Sequence, residues 1–346
     1  MSMPNVLRAA RRPAAIVAIV GLAASGLSGV LPSAQAAAHA LHTTGTVYLS
    51  EGSNSISYDF AEAPNGAVFY SRGADVYVVK GTSAPALAVQ AGGRVLALAA
   101  NSAELFVDVG RTVTAYHLPG AIKVQQWTLS SPLSVTSAGL YAVGSTVWAW
   151  TDWSTDESGL EYANVSRFTA SSAGVHLISA NIAYPDFLAA DASGLYYQAI
   201  RSDGTNGYLV HVAPSGSSAR VTDADIDGPL ALAGGRVELL VPHYGGSGSV
   251  NYYLDSYNGR SLAHAYSRHV SGADLGIAGT GVGLLVLAAS CKSLICSSAT
   301  VSQLSTATGA TLSTLTVPYA LDLVAGPSAV VITYRSGKYY LVRLAG

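Results

Sequence analysis

Phe60-Ala61-Glu62-Ala63-Pro64-Asn65-Gly66-Ala67-Val68-Phe69-Tyr70 is the stretch from which the fold can be read. An apolar residue and small residues lead into a turn of Pro, Asn and Gly, and a run of β-branched and aromatic residues follows. Asn-Gly between two apolar runs is a strong hairpin signal, because a tight hairpin turn requires the positive φ that these residues tolerate. The same pattern returns at Leu98 (LAANSAELFV), Tyr141 (YAVGSTVWAW), Leu188 (LAADASGLYY), Leu232 (LAGGRVELLV), Ile277 (IAGTGVGLLV) and Val324 (VAGPSAVVIT). Successive copies start 38 to 47 residues apart, which marks a repeat architecture rather than seven unrelated hairpins.

Working outward, a second motif of strand, small polar turn and strand follows the hairpin. It is read in TAYHLPGAIKVQQW after Val113, YLVHVAPSGSSARV after Gly207, YYLDSYNGRSLAHAY after Asn251 and VSQLSTATGATLSTL after Thr300. Four strands in a unit of about 44 residues is the size of a β-propeller blade. Helices are excluded, since no window keeps apolar residues at i, i+3, i+4 and i+7, and the Gly and Thr load disfavours them. The competing all-β readings, a β-solenoid or a pair of β-sandwiches, do not require so regular a spacing.

The chain ends supply an independent test. Only 22 residues follow Val324, enough for three strands of a last blade (around Leu321, Val331 and Leu341) but not four. The segment Thr44 to Ser50 (TGTVYLS) precedes the first hairpin and belongs to no blade of its own. Its pairing into the last blade would close the ring and remove exposed sheet edges. The expected fold is therefore all-β: seven four-stranded blades in one domain over residues 37–346, closed by the strand at about 44–50.

Residues 1–36 read as an export signal. Arg8, Arg11 and Arg12 form a positive n-region, Ala14 to Val30 is uncharged and apolar, and Ala34-Gln35-Ala36 offers a small-x-small cleavage pattern. The mature chain is expected to begin near Ala37, to be extracellular and to carry no membrane anchor; the competing reading is an uncleaved anchor. The Arg11-Arg12 pair leaves the general and twin-arginine export routes both open. With 50% hydrophobic and 11% charged residues the chain is not a disordered one. Loss of the leader leaves 15 basic against 20 acidic side chains, a net charge of −5 that argues against nucleic-acid binding. Cys291 and Cys296 are the only cysteines, and an exported pair this close is expected to oxidise to a disulfide across a hairpin.

The strand-turn-strand motif, with its Asn258-Gly259 and Thr308-Gly309 turns, resembles the repeats of quinoprotein-like β-propellers in degenerate form. Asp255 fits the Asp that such repeats place before the turn, and Trp127 the Trp that they place after it. The resemblance implies a propeller over the whole mature chain. It carries over neither quinone binding nor dehydrogenase activity, because one fold serves many functions.

Three groups of side chains are candidates for ligand contact. Asp223, Asp225 and Asp227 form a D-x-D-x-D-G string whose alternating carboxylates can face one Ca²⁺, although Ala231 and Gly234 occupy later ligand positions; a solvated acidic loop is the competing reading. Asp59, Asp186, Asp274 and Asp322 each precede or enter an innermost strand, where they could ring a channel mouth and hold a cation or polyol. The competing reading has each Asp accept hydrogen bonds from turn backbone. Trp148, Trp150 and Trp153 alternate or nearly so beside carboxylates, an arrangement that suits sugar stacking, with packing between blades as the competing role. No GxSxG, HExxH, P-loop or GxGxxG signature occurs.

The function expected from these residues is a secreted, monomeric binding or interaction module with its ligand on the loop face around the channel. A glycan or an extracellular protein is the expected partner, with calcium the one candidate cofactor. The alternative is a secreted carbohydrate hydrolase or lyase using channel-mouth carboxylates, which needs two carboxyls about 5–10 Å apart.

Overall fold

The computed structural model describes residues 40–51, 59–131, 135, 137–154, 161–183, 185–200, 207–222, 228–244, 250–271, 273–290 and 298–346. An N-terminal strand, β1 (His42–Glu51), precedes the first blade, which comprises β2 (Phe60–Glu62), β3 (Val68–Arg72), β4 (Asp75–Val79) and β5 (Ala86–Gln90). Blade 2 is β6 (Ala97–Ala100), β7 (Glu104–Val109), β8 (Thr112–His117) and β9 (Ile122–Thr128). Blade 3 is β10 (Ser137–Val143), β11 (Thr146–Ser154), β12 (Glu161–Thr169) and β13 (His176–Ala183). Blade 4 is β14 (Pro185–Asp191), β15 (Gly194–Ile200), β16 (Gly207–Val212) and β17 (Ser218–Thr222). Blade 5 is β18 (Leu230–Ala233), β19 (Arg236–Tyr244), β20 (Val250–Asn258) and β21 (His264–Val270). Blade 6 is β22 (Ala273–Thr280), β23 (Gly283–Ser290), β24 (Ser298–Leu304) and β25 (Thr311–Thr316). The last three strands are β26 (Ala320–Val324), β27 (Ala329–Arg335) and β28 (Lys338–Ala345).

These strands form seven four-stranded antiparallel sheets, each a meander except the last. That sheet runs β1-β28-β27-β26, so the N-terminal strand is its outermost member, as expected for the segment at 44–50. Val47 lies opposite Leu341 and Tyr48 opposite Tyr340 in the β1/β28 ladder. The innermost strands neighbour one another in the cycle β2, β6, β10, β14, β18, β22, β26 and back to β2, which completes a β-propeller.

The recurrent Ala of the repeat has a steric reason. Seven strands converge on one axis, where space is least, and interiors tolerate no excess volume. Ala61, Ala99, Ala142, Ala190, Ala231, Ala278 and Ala325 are buried there. One buried cluster takes Ala61, Leu98, Tyr141, Leu188, Leu230, Ala278 and Leu323 from the innermost strands of all seven blades. Apolar side chains of the innermost strands thus join one continuous core from blade to blade.

The expected hairpin chemistry is present at the first turn. Gly66 has φ +78°, its N–H donates to Ala63 O at 2.8 Å, and Asn65 Oδ1 accepts the Ala67 N–H at 3.0 Å.

The seam where blade 7 meets blade 1 has its own core. Val47, Leu49, Phe60, Val68, Tyr70, Val324, Ile332 and Leu341 belong to one buried cluster drawn from both blades and β1. Tyr70 of blade 1 donates its hydroxyl to Leu49 O of β1 at 3.1 Å. β1 therefore holds blade 7 through its ladder and blade 1 through its side chains.

Candidate functional site

Of the four carboxylates expected at the channel mouth, the side chains of Asp59 and Asp322 are described. Asp59, just ahead of β2, is half-buried and lies near enough to Asp108 and Tyr141 to raise the pKa of both. Blades 1, 2 and 3 therefore contribute one residue each to a single acidic neighbourhood. Asp108 is fully buried in β7, and neither carboxyl oxygen has a hydrogen-bond partner among the described residues. Burial, with the Asp59 charge adding to it, holds Asp108 well above the usual carboxylate range. Tyr141 is likewise raised by burial first and by Asp59 second.

Asp322 enters β26 opposite Ile332 and accepts the Leu323 N–H at 2.8 Å. That is the local backbone role named above as the competing one. Burial pushes the Asp322 carboxyl up to about 7, against the opposing effect of this bond. Asp186 pairs across from Gln198 in β14, and Asp274 lies in β22; their side chains are outside what is described. Among the described residues no group of three His, Cys, Asp or Glu side chains is arranged to hold a metal ion. The Asp223, Asp225 and Asp227 string and the Cys291 and Cys296 pair lie outside the described residues.

The tryptophans need a correction. Trp148 and Trp150 keep only 1% and 3% of their surface exposed, so neither offers a ring face to a sugar. Both belong to the buried cluster that runs through all the blades. Trp150 lies 6.2 Å, centroid to centroid, from Tyr197 of blade 4, and Arg167 stands 5.8 Å over the Trp148 ring. The physical reason is that both faces of a propeller blade are covered by its neighbours, so alternation along a strand does not leave one side wet. Trp153 pairs across from Tyr162 near the end of β11.

Sequence reasoning missed two buried glutamates, Glu238 within blade 5 and Glu62 at the closing seam. Glu238 of β19 accepts the Ser256 hydroxyl at 3.0 Å and the Tyr266 hydroxyl at 3.2 Å. Burial lifts it to about 8, with both hydrogen bonds and Arg236 pulling the other way. Glu62 of β2 lies at the closing seam, where Oε2 accepts the Ser328 N–H at 3.0 Å and Oε1 is 3.8 Å from Arg343 Nη1. Burial lifts Glu62 to about 7, opposed by Ser328 and then by Arg343. A Cβ at Gly326 would strike this carboxylate, which explains the glycine there. Arg343 also donates from Nε to Gly81 O and from Nη2 to Gly66 O, each at 2.9 Å. The available signal for Glu62 was a charge standing among the small residues of the repeat.

These acids set a pH dependence. The unfolded chain releases their protons near the ordinary 4.5 or 3.8, whereas the folded protein keeps those of Glu62, Asp322 and Glu238 until about 7, 7 and 8. Between those limits the folded state binds more protons, so their contribution to stability is full at low pH and falls as pH rises. A proton held tenfold more tightly by the folded state than by the unfolded one contributes about 1.4 kcal/mol in this way. Thermal unfolding should therefore show Tm falling by several degrees from pH 5 to pH 8.5. Asp108→Asn should raise Tm more at pH 8.5 than at pH 5; an equal effect at both would contradict a neutral buried Asp108.

The second feature is a cleft of about 410 Å³ between the last blade and the link that enters it from blade 6. Its walls are Thr43 and Thr46 of β1, Thr316 to Tyr319 in the link from blade 6, Thr333, Arg335 and Ser336 of the β27 hairpin, and Tyr340 and Val342 of β28. Arg335 lies with its guanidinium carbon 5.8 Å from the Tyr319 ring centroid. None of these residues was singled out from sequence, because they come from opposite ends of the chain.

Comparison with known proteins agrees with the geometry. No family model matches the chain, and no curated protein matches it. Among solved structures it is similar to a chain of a mitotic checkpoint complex, at 12% identity and a TM-score of 0.52, over 92% of this chain and 98% of that one. It is also similar to the WD40 propeller domain of Doa1, at 10% identity and a TM-score of 0.52, over 88% and 96%. A quinohemoprotein alcohol dehydrogenase from Pseudomonas putida follows at 9% identity and a TM-score of 0.47, over 88% and 76%. At these identities the likeness is one of fold. The protein is a seven-bladed β-propeller.

Proposed function

We propose that the protein is a secreted interaction module that holds an extracellular partner on a loop face of a rigid ring. The observation that carries this reading is the continuous core: innermost strands of all seven blades join one buried apolar cluster, which makes the ring a rigid support. The cleft of blade 7 is then the place proposed for ligand contact. Two similar structures with TM-scores above 0.5, a chain of a mitotic checkpoint complex and the WD40 propeller domain of Doa1, agree with an interaction role. Export rests on the leader at residues 1–36, with Cys291 and Cys296 as a disulfide suited to that compartment. A glycan suits such a module as partner, and the net charge of −5 after leader removal disfavours nucleic acid.

The competing reading is a hydrolase or lyase that uses the raised carboxyls of Asp322 or Asp108. One experiment separates the two. Residues 37–346 are incubated with immobilised neutral and acidic polysaccharides, and both retention and new chain ends are scored. Retention without new reducing or unsaturated ends is the expected result. Time-dependent release of such ends would replace the module with an enzyme.

A further inference from the structure

The blade 7 cleft holds a cation that no acid neutralises among the described residues. Lys338, across the hairpin from Arg335, is engaged by Glu51 at 3.2 Å. Arg335 is exposed and has no carboxylate partner among the described residues. Its contact is the Tyr319 ring, which orients the guanidinium plane and leaves its N–H fork unspent.

Tyr319 is itself held in an unusual state. Its φ is +60°, a region that bulky residues rarely enter. Ser336 also has positive φ, but it precedes Gly337 at +78° in a two-residue hairpin turn that demands this. Tyr319 follows Pro318 in the turn that links blade 6 to blade 7, and the Tyr334 N–H donates to its carbonyl at 2.9 Å.

Around this pair the wall is hydroxylic. Thr43, Thr46, Thr316 and Ser336 are exposed, and Val317, Pro318, Tyr340 and Val342 supply the apolar part of the lining. Hydroxyls both donate and accept, so they match a polyol better than a simple anion, and tyrosine rings suit the C–H faces of a sugar. The volume lies within the range of small-ligand sites, about 300–1,000 Å³.

We propose that this cleft binds a saccharide bearing a carboxylate, with the carboxylate on Arg335 and the sugar hydroxyls on the threonine wall. The proposal rests on the interaction-module reading and moves its site from the channel mouth to the cleft between the last blade and the link from blade 6.

The test is calorimetric titration of residues 37–346 with trigalacturonate and with its neutral methyl ester. The acid should bind, and the ester should bind at least about tenfold more weakly. Arg335→Gln, an exposed change, should weaken binding of the acid by at least about tenfold. Arg220→Gln, at a cation over Tyr208 in blade 4, should leave it unchanged. No binding of the acid, equal binding of the ester, or an unaltered affinity in Arg335→Gln would each overturn the proposal. These failures leave the module reading intact, whereas cleavage of the probe would remove that reading while the Arg335 comparison still reported on the cleft.

Discussion

Replacing Arg343 by methionine is expected to destabilise the ring by about 3–5 kcal/mol at pH 8, the cost of breaking a buried charged pair. Arg343 is the one described side chain that ties the last blade to two turns of the first, through Gly66 O and Gly81 O, each at 2.9 Å. Its loss strands those carbonyls and leaves Glu62 buried without a counter-charge 3.8 Å away. The cost should depend on pH in a fixed direction. Glu62 is held protonated up to about 7, so at pH 5.5 there is little buried charge to abandon, whereas at pH 8 there is. Adding Glu62→Gln, which keeps an acceptor for Ser328, should recover part of the loss at pH 8. Urea unfolding of the single and double variants at both pH values reads this out. An equal penalty at the two pH values, with no recovery in the double variant, would show that Glu62 and Arg343 do not act as a pair.

Removing β1 should cost more still. Val47 and Leu49 are each only 5% exposed, and burying two such side chains stabilises by about 3–6 kcal/mol. The same strand covers Leu341 and Leu344 of β28, accepts the Tyr70 hydroxyl and supplies two threonines of the cleft. Without it the last sheet ends in an open edge beside a half-exposed seam core. Against a total stability of roughly 5–15 kcal/mol for an ordinary domain, a chain of residues 52–346 is not expected to keep one cooperative transition.

Much of this fold was legible because a propeller repeats one local solution. Each hairpin of small residue, turn and β-branched run can be recognised alone, and the surplus strand at one end matched the deficit at the other. The observed closing strand, His42–Glu51, extends the expected 44–50 by two residues before it and one after. The site was less legible for two physical reasons. Trp148 and Trp150 alternate as a half-exposed strand would, yet each blade is covered on both faces, so the pattern carried no information about solvent. The cleft joins Thr43 and Thr46 to residues 316–342, a juxtaposition that exists only after ring closure. Glu62 was visible in the first hairpin, but its meaning depends on Arg343 and Ser328, more than 260 residues away.

Scanning calorimetry of residues 40–346 beside residues 52–346, at one pH and scan rate, tests most directly whether the ring is closed by its own N-terminal strand. The longer chain should unfold in one sharp transition. The shorter one should unfold broadly, with its midpoint at least roughly 10 °C lower. Two transitions matching in midpoint and sharpness would mean that β1 does not close the ring, and the seam, the latch and the cleft would lose their common basis.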